Sequence, residues 1–198
     1  MQKRTYKPRE TVFCPVKLPT EFPIVCMHID HWYTENRAVN MLHFHNCLQI
    51  GYCYEGSGYS LVEGKLTEFE SGNVTVIPAN TQHHIVSHPN IWLYLDPFAF
   101  VPDLHPTYAK GLMRIFFGDE AMPFILCKDD QNEMINIAHA IINEMENRDK
   151  GYQDIVRLQT HAFLILLLRA ASGIDASSFA VAQTTMQIIA PAVQYIAL

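Results

Sequence analysis

His43 and His45 stand one residue apart in the stretch HFHNCLQIGYCYEGSG, and Gln49 follows four residues after the second. On an extended strand the side chains alternate, so His43, His45, Cys47 and Gln49 share one face while Phe44, Leu48 and Ile50 take the other. Two imidazole nitrogens and an amide oxygen on one side of a curved sheet can converge on a single ion, and an imidazole from another strand would complete the set. The run GNVTVIPANTQHH offers one, because a turn at Pro78 and Asn80 can send His83 back toward the interior. His43, His45, Gln49 and His83 are therefore a candidate metal site, for zinc or nickel ahead of iron. The same four side chains are equally a polar lining that hydrogen-bonds water or an organic ligand; spacing does not separate the two roles.

Aromatic rings add to the ligand-binding set. Trp92 and Tyr94 share a face on NIWLYLDPF, as do Tyr52 and Tyr54 on their own segment. Such a pair lining a cavity lets a ring stack on a sugar or an aromatic acid. Tyr52, Trp92 and Tyr94 are the candidates, against the plainer role of core packing for any one ring. His84 and His88 have the wrong parity relative to His83 and read as surface or rim. His28 and Asp30 share a face but sit at a strand end, where histidines are ordinary. Glu55 and Glu63 fall at turns, so no general acid or base accompanies the histidines.

The elements that must position these residues are strands. Up to about residue 126 the chain is a succession of short β-branched and aromatic runs split by glycine and proline, including a hairpin turning at Glu63-Gly64, which predicts an all-β sandwich or barrel. The pattern then becomes helical. Met134, Ile137, Ala138, Ile141, Ile142 and Met145 form a one-sided stripe closed by Gly151. A second helix is predicted from Tyr152 to Ala171, apolar nearly all round between Ala162 and Leu168, so it must be covered on more than one side. A second copy of the chain is the expected cover, giving a homodimer; the alternative is burial within one chain. Residues 173–184 have the composition of a linker. Another apolar stripe follows in residues 185–198, as if a further domain began there. The division expected is thus a β-barrel over residues 1–130, a helical dimerisation segment over 131–172, the linker, and the start of the next domain.

Composition limits the function. The chain has 198 residues, 49% hydrophobic and 17% charged, with a formal net charge of -6. That balance excludes a surface that grips phosphates directly, so any action on DNA belongs to another domain. Five scattered cysteines without Cys-x-x-Cys spacing suit free thiols in a reducing compartment. The N-terminus lacks an apolar signal core, and AFLILLL is too short for a bilayer, which needs about 20 residues. A cytoplasmic protein without membrane contact is expected.

The spacing His43-x-His45, three residues, Gln49, six residues, Gly56 is similar to the first cupin motif, and Gly72, Pro78, Asn80, His83 to the second. The stretch YEGSGYSLVEGKLTEFESGNVTVIPANTQHH resembles in particular the N-terminal sensory domain of AraC-type transcriptional regulators, strongly over residues 42–98. IIAPAVQYIA looks like the opening helix of that family's helix-turn-helix domain. The resemblance implies a mainly β fold with C-terminal helices: a cupin-like double-stranded β-helix (jelly-roll barrel) followed by two dimerisation or connecting helices. It implies a small-molecule effector in the barrel, and DNA contact only through a C-terminal domain that this chain lacks. Catalytic cupins commonly carry a glutamate where Gln49 stands, and a neutral amide weakens the hold on a divalent cation. An effector sensor without catalytic activity is expected. The alternative is a metal-dependent cupin enzyme, a dioxygenase or isomerase.

Overall fold

The computed structural model describes residues 11–28, 41–87, 90–116 and 124–172. Among them the strands form two five-stranded sheets. One has the order β1 (Val12–Phe13), β3 (His43–Phe44), β8 (His83–Ser87), β5 (Ser57–Val62), β6 (Lys65–Glu70). The other runs β10 (Ile125–Leu126), β7 (Val74–Ile77), β4 (Leu48–Cys53), β9 (Asn90–Leu95), β2 (Ile24–His28). The architecture is mainly β and cupin-like with C-terminal helices, as expected.

Alternation decides what each strand offers to which side. In the second sheet Leu48, Ile50, Val74, Val76, Ile91, Leu93 and Leu95 point outward and join one apolar core with the helices. Cys53, Ile77, Trp92 and Tyr94 point inward and meet Val62, Phe69 and Ile85 of the first sheet in a second core. Strand β4 is consequently buried on both faces, which explains its nearly unbroken apolar reading. The β5–β6 hairpin turns at Glu63 and Gly64, with φ of 49° and 82° and Val62 paired to Lys65. Two consecutive left-handed residues make the turn whose twist matches that of the strands.

Three helices follow: α1 (Pro106–Phe116), α2 (Lys128–Asn147) and α3 (Tyr152–Ser172). Helix α1 falls inside the segment expected to be wholly β. Helix α2 begins before Met134 and leaves helical geometry once, at Gln131. It buries Met134, Ile135, Ala138, Ile141, Ile142 and Met145, while Ile137 is only partly covered. Helix α3 buries Val156, Phe163, Leu164, Leu167 and Ala171 within the single chain. Part of its second cover is α1, which comes so close that a Cβ on Gly111 would lie 2.7 Å from a Leu168 methyl. The exposed apolar side chains of α3 are Ile155 and Leu158, ahead of the all-apolar stretch. No helix among the described residues is long and apolar enough to cross a membrane. The linker at 173–184, the stripe at 185–198, and His88 and Asp30 lie outside the described residues.

Candidate functional site

His43, His45 and His83 come together. His43 and His83 are directly opposite one another on antiparallel β3 and β8, with ring centroids 4.4 Å apart. The His45 ring lies 5.0 Å from His43 and 5.3 Å from His83. All three are buried, and one ring nitrogen from each lies within 4.8 Å of the others.

The local fold that achieves this differs from one continuous strand. The chain leaves β3 after Phe44, bends through His45, Asn46 and Cys47, and enters the opposite sheet at Leu48. A strand that changes sheets needs such a corner, and His45 sits in it between the two layers. Asn46 clamps the corner to the N-terminal segment, accepting from the Val16 N–H at 2.8 Å and donating to the Val16 carbonyl at 3.2 Å. Asn80, left-handed at φ 62°, donates its N–H to the His45 carbonyl at 2.7 Å. Asparagine tolerates that conformation better than most residues, so the turn before His83 and the corner at His45 are tied together.

Each imidazole is oriented by a backbone carbonyl. Nδ1 of His43 lies 2.9 Å from Met41 O, Nδ1 of His45 2.5 Å from Cys14 O, and Nδ1 of His83 2.8 Å from Thr81 O. A carbonyl only accepts, so Nδ1 carries the proton in each ring and Nε2 keeps its lone pair. Nε2 of His45 and of His83 is buried without a partner among the described residues. Burial pushes all three imidazoles below the ordinary histidine range, His45 to about 4 and His83 to about 3, with the neighbouring histidines adding to the effect. The rings are neutral at physiological pH. Three neutral rings, each with its second nitrogen fixed by a carbonyl, are what a metal-binding histidine cluster requires. Tetrahedral zinc holds nitrogens at about 2.0–2.1 Å, hence about 3.4 Å from one another, a modest contraction of the observed cluster. The residues fit the ion.

The remaining candidates divide. Gln49 is on the inner face of β4, buried, with Oε1 unpartnered. Its cross-strand partner is Tyr94, whose ring lies 5.2 Å from that of His45. Trp92 also faces inward, and its Nε1 is buried without a partner among the described residues. Trp92 packs over Gly51, where a Cβ would meet its ring at 2.2 Å. Tyr52 requires a correction: it lies on the outer face of β4 with the helix-side core, 5.0 Å from the His139 ring of α2. Its parity is opposite to that of Gln49, so it cannot line the same space. His84 is half-buried, with Nδ1 3.4 Å from Met41 O, outside the cluster of three. His28 pairs instead with Glu146 of α2 at 2.5 Å.

Two contributors went unseen in the sequence. Ser60, inward on β5 with an unpartnered buried hydroxyl, was accessible through the alternation of Gly58, Ser60 and Val62. Cys14 acts through its carbonyl, for which side-chain chemistry gives no signal.

The chain belongs to the AraC-like ligand binding domain family, whose model matches residues 30–168. No curated protein matches the chain in sequence. Among solved structures it is similar to the AraC-like transcriptional activator CuxR, with 11% identity and a TM-score of 0.42 over 76% of this chain and 52% of that one. It is also similar to ToxT from Vibrio cholerae. An apo variant from strain SCE256 gives 13% identity and a TM-score of 0.48, covering 91% of this chain and 66% of that one. Wild-type ToxT bound to unsaturated fatty acid gives 10% and 0.43, covering 78% and 57%. The chain spans roughly half to two thirds of the length of these structures.

Proposed function

We propose that the inner wall of the barrel binds a small-molecule effector through His43, His45, Gln49, His83, Trp92 and Tyr94, and that the chain is the sensing part of a cytoplasmic, homodimeric, DNA-binding regulator without catalytic activity. DNA would be held by a separate helix-turn-helix domain, since the acidic balance of this chain does not suit phosphate contact. The observation that carries the reading is the set of five buried polar atoms on the inner wall with no partner among the described residues: His45 Nε2, Gln49 Oε1, Ser60 Oγ, His83 Nε2 and Trp92 Nε1. Each such atom left unpaired costs about 1–3 kcal/mol, so their concentration on one face favours an occupant that pairs with them. Catalysis by a cupin-type enzyme has less support, because among the described residues no aspartate or glutamate is a buried polar side chain.

The same strands carry the message outward. Strands β4 and β9 present Gln49, Trp92 and Tyr94 inward and, one residue on, Ile50, Tyr52, Leu93 and Leu95 to the helices. An effector that binds two arrangements of these strands unequally shifts the helices with them. Thermal unfolding against a panel of sugars, aromatic acids and short carboxylic acids tests the site. A ligand at 100 times its Kd adds about 2.7 kcal/mol, and that gain should vanish in Gln49→Leu. Equal stabilisation of both proteins would place binding elsewhere.

A further inference from the structure

Gln49 stands among neutral side chains, and that neutrality sets what a metal bound here would need. Among the described residues the cluster consists of histidines alone, and the buried polar side chains include no aspartate or glutamate. The wall facing the cluster is Tyr94, Trp92 and the apolar inner core. A divalent cation held by three imidazoles and one amide would therefore keep its full charge of +2 in a buried setting, which is strongly unfavourable without a counter-ion.

We propose that His43, His45 and His83 hold a zinc-class divalent cation and that the site is completed by an exogenous anion, making the barrel a metal-dependent receptor for small carboxylates. The inference rests on the reading of the inner wall as the ligand site and narrows its ligand class. The carboxylate supplies the charge that the described residues around the cluster lack, and Trp92 Nε1 and Ser60 Oγ, buried on the inner wall without a partner among the described residues, are the donors offered to its second oxygen. Metal and anion are then linked: each tightens the other by the same factor.

The test is a zinc titration of the full chain by calorimetry at pH 6.5, in a buffer free of coordinating anions, alone and with acetate or acetamide. At that pH zinc-bound water, whose pKa is about 7, stays mostly neutral and cannot itself serve as the anion. One zinc per chain is expected, tightened at least tenfold by acetate and not by acetamide. Gln49→Glu supplies the missing charge, so it should bind zinc at least tenfold more tightly without acetate and lose the acetate effect. His83→Gln should abolish zinc binding with an unchanged far-ultraviolet circular dichroism spectrum; if it unfolds, the Gln49→Glu comparison carries the decision. No zinc binding by wild type, binding indifferent to acetate, or an undiminished acetate effect in Gln49→Glu would each overturn the proposal. A metal-stripped protein that responds fully to an organic ligand would overturn it too, while leaving the effector-binding function standing.

Discussion

Acidification from pH 7 to pH 5 should strip stability from this protein through His45 and His83 specifically. Burial lowers the two rings to about 4 and about 3 in the folded chain, whereas in the unfolded chain they titrate near 6.5. A base whose pKa is depressed by folding contributes stability that is fully present above the unfolded value. That stability is lost as the pH falls through 6.5 toward the folded pKa, because the unfolded state binds the proton first. Between pH 7 and pH 5 each ring accounts for about 1.8 kcal/mol, so the pair accounts for about 3.5 kcal/mol. Against a total of about 5–15 kcal/mol for an ordinary domain, this is a large share. The assay is urea unfolding at both pH values for the wild type and for His45→Gln/His83→Gln, which removes the two titrating rings and leaves the other histidines. The wild type should lose about 3.5 kcal/mol more than the double variant. Equal losses, within about 1 kcal/mol, would show that these rings are not buried as neutral groups.

Two substitutions probe the frame around the site. Gly51→Ala drives a Cβ to 2.2 Å from the Trp92 ring and 2.5 Å from Thr75 Oγ1; the resulting overpacking should lower urea stability by about 1–3 kcal/mol, and a change below about 0.5 kcal/mol would contradict the packing. Leu158→Glu changes an exposed apolar side chain of α3 and should leave stability nearly intact while dissociating the expected homodimer in analytical ultracentrifugation; an unchanged dimer mass would place the subunit contact on another surface.

Strand parity made much of this site legible. Trp92 and Tyr94 belong inside because Ile91, Leu93 and Leu95 alternate with them, whereas the pairing of His43 with His83 joins strands with four others between them in the chain. The same rule places Tyr52 outside, since it is three residues from Gln49. It was missed because β4 is buried on both faces, and an aromatic ring is equally at home against the helices. The bend at His45–Cys47 was hidden for a related reason: a strand crossing between sheets keeps an unbroken apolar composition. Helix α1 was masked by Pro106 and Gly111, which read as loop punctuation. Proline is at home in a first helical turn, and Gly111 is there because Leu168 approaches too closely for a side chain. Helix α1 supplies part of the cover that the all-apolar stretch of α3 requires. Carbonyl contacts such as Cys14 to His45 leave no trace in residue types at all.

Long-range proton–nitrogen correlation spectra of the histidine side chains test the central claim most directly. The account predicts that His45 and His83 are neutral at pH 6, with Nδ1 protonated and Nε2 bare, and that their Nε2 resonances remain unprotonated down to about pH 5. Two rings in rapid exchange, titrating near pH 6.5 like free imidazole, would contradict it.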